Sequence, residues 1–198
     1  MRLFLFLFLP LGAIAQVMCA LGPGAASYKA SEDQRPTSDA MLMASRVNAA
    51  AKTMCGNTCP AVIVLRNSTA ANVMLIADSS QGKLVYSPQF FGLVDQKYGD
   101  AGVIAIMAHV LGHALDDTLG AAWIKGGWSP ELRADSWAGC ILAKNNLNLA
   151  DTGAALSALA SYPSPAHPGW TIRLPAIRTG YTQCGGNASQ FDTARVSK

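Results

Sequence analysis

Charge is scarce in this chain. Aspartate, glutamate, lysine and arginine make up 14% of its 198 residues, below the rough quarter of an average globular protein. The fifteen lysines and arginines are scattered, and no basic stripe interleaved with aromatics runs along any segment, so nucleic acid is not an expected partner. No internal repeat and no low-complexity block occurs, and the length suits one domain with a real core rather than two. Beyond the amino terminus no apolar run is long enough to span a bilayer. Histidine is rarer still, at three residues, so two of them at a short fixed spacing carry weight.

Part of the apolar excess lies in "MRLFLFLFLPLGAIAQ", where Arg2, the run Leu3 to Leu11 and the small-x-small site Ala13-Ile14-Ala15 have the form of a secretory signal. Residues 1–15 are read as that signal, with cleavage as late as Ala20 as a variant, and no stable membrane span is expected once it is removed. Cys19 in "QVMCA" also resembles a lipoprotein acceptor, a minor alternative. The expected setting is secreted or periplasmic. Residues 16–37 read as a flexible lead-in, 38–184 as the domain, and 185–198 as a flexible tail.

Export permits disulfides. Setting Cys19 aside, four cysteines allow three pairings; the preferred one joins Cys55 to Cys59 across the small loop "CGNTC" and Cys140 to Cys184. The alternative for "CGNTC", a metal site, lacks a second pair of matching spacing. Asn67 and Asn187 head glycosylation sequons.

The spacing predicts a helix over 38–54 with Ser38 as its N-cap, then three short strands ("AVIVLRN", "NVMLIAD", "KLVYSP") in an antiparallel sheet. Helices follow over 88–99 and 101–117. Another opens at Ser129-Pro130, and one starts at Asp151. Helix, small sheet, then helices makes the class α+β.

The chemistry centres on "AHVLGHALDD". Residues four apart share a helix face, so His109 and His113 can present both imidazoles to one ion. Eighteen residues on, "ELRADSWAG" sets Glu131 and Asp135 four apart on the next helix. A carboxylate is an acceptable third zinc ligand, and a ligating histidine usually donates its other N–H to an outer carboxylate. Glu131 fits the first role and Asp135 the second.

These segments, with "AHPGWTIRLPAIRTGY", resemble the gluzincin metallopeptidases, in particular small exported bacterial relatives of the CAAX-prenyl-protease type. The resemblance covers about Ala61 to Cys184. It implies a zincin-like domain holding one zinc through His109, His113 and Glu131, with Asp135 behind them and a peptide or protein as ligand. It also places His167, Pro168 and Arg173 on the family's late "HP…R" pattern near the site, as catalytic helpers. Pro175 departs from the pattern and is expected to kink the last helix.

The gravest departure is Val110. In H-E-x-x-H the residue after the first histidine is a glutamate that takes a proton from the attacking water, and an isopropyl group cannot. The expectation is a zinc-binding protein whose peptide hydrolysis is weak or lost. The alternatives are an active metalloendopeptidase with another base, His167 being the nearest candidate by analogy, and a metal-free structural or interaction domain.

Overall fold

The computed structural model describes residues 28–77 and 81–194 together with the backbone of 16–20; residues 1–15, read as a signal, lie outside the described residues. The class is α+β. Among the described residues the strands and α-helices follow in this order: β1 (Gln16–Ala20), α1 (Ser38–Cys55), β2 (Val62–Arg66), β3 (Val73–Ala77), β4 (Gly82–Tyr86), α2 (Pro88–Leu119), α3 (Pro130–Lys144), α4 (Leu149–Ser161), α5 (Trp170–Gln183) and α6 (Ala188–Thr193).

Local chemistry accounts for most boundaries. The Ser129 side chain accepts from Leu132 N and Pro130 takes the first turn of α3, as Ser-Pro predicts. The cap of α1 is Thr37, which accepts from Ala40 N, one residue before the expected Ser38. Asn148 caps α4 and accepts from Asp151 N, so that helix begins two residues earlier than Asp151 suggested. The two helices expected over 88–99 and 101–117 join as α2, broken only at Gly99 with φ 61° and ψ −168°, a conformation that glycine alone adopts easily. α5 continues through Pro175 to Gln183.

The sheet differs from expectation. Its order is β1-β3-β4-β2, with β3 antiparallel to β4 but β2 parallel to it, so it is mixed rather than antiparallel. β3 and β4 follow one another in sequence and pair antiparallel. The β2–β3 connection carries the chain past β4's place, which β4 then fills running the same way as β2. A fourth strand, β1, pairs antiparallel with β3 in a stretch read as lead-in. Both faces of the sheet are apolar: Leu75 and Leu84 join the main core with the helices, while Met74, Ile76 and Val85 form a smaller cluster with Tyr28 and Leu65. That explains why the strands read as nearly unbroken apolar runs.

The segment before α1 is tied down from Tyr28 onward. Asn67 Nδ2 donates to Lys29 O at 2.9 Å and to Asp33 Oδ1 at 2.8 Å. Asn67 is buried, so this sequon's amide is engaged inside the protein. Asn187, exposed, caps α6 through its Oδ1. Within the stretch read as tail, α6 packs Phe191 against Tyr181, ring centroids 5.2 Å apart.

Small residues let the site's helices approach closely. A Cβ at Gly180 of α5 would fall inside the carbonyl oxygen of Ser136 on α3, and one at Gly139 would meet the carbonyl of Ile177. Alanine gains at most about 1 kcal/mol over glycine within a helix, whereas forced overpacking costs about 1–3 kcal/mol or more. Gly180→Ala should therefore destabilise the fold, measured as a lower urea midpoint at unchanged m-value. The Cys140 and Cys184 Cα atoms lie 5.1 Å apart, and those of Cys55 and Cys59 5.0 Å, both pairs disulfide-bonded. The first bridge closes a 44-residue separation and clamps α3 to the end of α5. Replacing Cys140 and Cys184 by serine should cost about 2–5 kcal/mol in equilibrium unfolding.

Candidate metal centre

α2, α3 and the loop before α5 bring four donor side chains to one point. His109 and His113 project from one face of α2, with ring centroids 5.1 Å apart and planes at 87°. Glu131 sits in the first turn of α3. Its Oε2 lies 3.3 Å from His109 Nε2, 3.4 Å from His113 Nε2 and 2.7 Å from His167 Nε2. His167 comes from the loop 162–169 and sets its Nε2 3.1 Å from that of His109. The ligand atoms of His109, Glu131 and His167 all lie within 4.8 Å of one another, and this buried group could bind a metal ion.

Burial by itself would push the Glu131 carboxyl up. The three imidazoles around it outweigh that and hold it well below the ordinary carboxylate range. Asp135, one turn further along α3, is wholly buried. Burial again pushes its carboxyl up, and the Arg173 guanidinium and His109 more than compensate, so it stays ionised. Arg173 Nε donates to Oδ2 at 2.8 Å and Nη2 to Oδ1 at 2.8 Å, while Nη1 reaches Leu159 O on α4 at 3.0 Å. This two-pronged fork is the strong form of an arginine–carboxylate pair.

The hydrogen bonds of His109 and His167 fix which of their nitrogens carries the proton. An ionised carboxylate only accepts, so at 2.9 Å His109 Nδ1 donates to Asp135 Oδ1, and the Nε2 lone pair of the neutral ring turns toward Glu131 and His167. His167 is the reverse case. Its Nδ1 accepts from Ser164 N at 2.9 Å, so the neutral ring carries its proton on Nε2 and points it at Glu131 Oε2. Val110, next to His109, is buried within the apolar core and brings no polar atom.

Of the residues read from the sequence as ligands, His109 and Glu131 fall in the group that could bind a metal ion, whose third member is His167 rather than His113; His113 stands beside it at 3.4 Å from Glu131 Oε2, and Asp135 and Arg173 stand behind His109. Sequence spacing alone did not show that Ser164 orients His167. The signal available was "YPSPAH", in which a serine before proline begins a tight turn that closes on the histidine three residues later. Comparison with protein-family models, with curated proteins and with solved structures gives no match for this chain.

Proposed function

We propose that this chain is an exported zinc-binding protein of the metallopeptidase type, with peptide-bond hydrolysis weak or lost and a cleft that binds peptide. The observation that carries the reading is the convergence of His109, His113 and Glu131 on one point beside a valine where an acid–base glutamate is expected. The paired cysteines suit an oxidising compartment, as export requires.

The donor set fits zinc: imidazole nitrogens and one carboxylate oxygen on two packed helices, with a carboxylate behind His109. His109, His113 and Glu131 would hold the ion. The described donor atoms that lie within 4.8 Å of one another belong to His109, Glu131 and His167, but with Ser164 N–H on Nδ1 the His167 Nε2 proton makes that ring a donor rather than a ligand, which leaves the third place to His113. When bound, zinc supplies Lewis acidity toward a carbonyl oxygen and toward water.

The remaining work falls to the chain's own groups. Asp135, locked by Arg173, holds the His109 ring in place. The Nε2–H of His167 is placed to donate to an oxygen that gathers negative charge beside Glu131. Taking a proton from water is the task left without a group: Val110 has none, and the accepting nitrogen of His167 is turned to Ser164. The same tautomer counts against His167 as an unorthodox base. His113→Ala should lose stoichiometric zinc, and Asp135→Asn should bind about 10- to 100-fold more weakly, measured by metal titration. Full occupancy in His113→Ala would transfer the ligand role to His167.

A further inference from the structure

A second concave surface lies on the far side of α2. Met107 and Leu111 sit two residues, or about 200°, around the helix from His109 and His113. With Met41, Ala44 and Val47 of α1 and the length of β2, they line a groove of about 740 Å³ in which Arg35 is the one charged residue among the described lining residues.

Among the described residues β2 is the edge of the sheet on this side, and its hydrogen bonds show which way each backbone group points. Ala61 O accepts from Gly82 N at 2.8 Å and Asn67 N donates to Tyr86 O at 2.9 Å, so odd-numbered positions face β4. Arg66 faces outward, exchanging both bonds with Gln34 at 2.9 and 3.0 Å. Alternation along a strand then turns the N–H and C=O of Val64 and Val62 outward, into the groove. The Gln34–Arg66 bridge is antiparallel, and its next partner opposite Val64 would be Pro36. Proline has no N–H to give, and the chain leaves at Thr37 to cap α1.

We propose that the groove binds an extended peptide as an added strand, antiparallel to β2 and in register with Gln34, with apolar side chains along its length and an acidic residue at its amino-terminal end. An acyl chain would suit the apolar walls but would cover the outward groups of Val62 and Val64 without pairing them, at the cost of burying unsatisfied backbone; a strand pairs them. Antiparallel direction puts the peptide's amino-terminal end beside Arg35, the charge that selects an acid. This site is separate from the metal centre and does not rest on the zinc reading.

The probe is the peptide acetyl-DVTVTV-amide titrated into 15N-labelled protein. Amide shifts should concentrate at Val62, Val64 and Leu111. Methylating the peptide nitrogens that face β2 should weaken binding about tenfold or more, roughly one to two lost hydrogen bonds, while methylating the alternate nitrogens should not. Arg35→Glu should shift preference from this peptide to its lysine-headed counterpart. Val64→Pro removes an N–H that points away from β4, where an edge strand tolerates proline, and should abolish binding with the circular-dichroism spectrum retained. Equal weakening by both methylated series, or shifts centred on His109 and His113 instead, would overturn the proposal. So would decanoate displacing the peptide and binding Val64→Pro undiminished, which would identify an acyl-chain slot.

Discussion

Replacing Arg173 by leucine should destabilise the protein by about 3–5 kcal/mol, the usual consequence of removing one partner from a buried ion pair. Arg173 is 1% exposed and Asp135 0%, so no water replaces the guanidinium. The loss would strand a buried carboxylate whose remaining described contact is His109, and leave Leu159 O without its donor. The deficit should depend on pH with a definite sign. In the native protein the folded-state carboxyl of Asp135 lies below the ordinary value of about 4; its contribution is full above that value and is lost as pH falls through the depressed one. Without Arg173, burial prevails and the carboxyl can take a proton inside the fold. The gap between native and Arg173→Leu should therefore be widest near neutrality and narrow below about pH 4. Urea unfolding at several pH values measures it. A cost under about 1 kcal/mol at neutral pH would mean that the pair is no stronger than one on the surface.

Val110→Glu should raise peptidase activity by about 10² to 10⁴, the usual worth of general acid–base help, from a native level near background. Position 110 lies about 100° around α2 from His109, and its side chain is buried. A glutamate there escapes the penalty of an unpaired buried charge only by reaching the histidine cluster, so the gain should come with some loss of stability. Quenched-peptide turnover with and without a chelator decides it. Native turnover equal to the variant's would establish a working base elsewhere. Inactivity of both would show that the cleft has changed at more places than Val110.

The centre was legible where chemistry follows helical spacing. His109 with His113 and Glu131 with Asp135 each stand four apart, and a helix aligns such pairs whatever surrounds them. His167 and Arg173 were legible only through the family resemblance, because a loop residue 54 positions after His113 reaches the cluster only by tertiary packing. The glycines that let α3 and α5 meet, Gly139 and Gly180, carry no signal of the backbone they touch. The sheet was the weakest reading. Strands of five residues buried on both faces lose the alternation that tells direction, and nothing in "NSTAAN" shows that β4 will lie between β3 and β2. Thr37 displaced Ser38 as the cap of α1 because adjacent polar residues compete for one role and packing decides by a single residue, while Asn148, three residues before Asp151, draws the start of α4 forward by accepting from Asp151 N.

The most direct measurement is metal analysis of the purified protein prepared without chelators, alongside His113→Ala. One zinc per native chain, lost in His113→Ala, is the expected result. A native protein folded and free of stoichiometric metal, unable to take up added zinc, would contradict it and leave the buried cluster a structural network of histidines and acids.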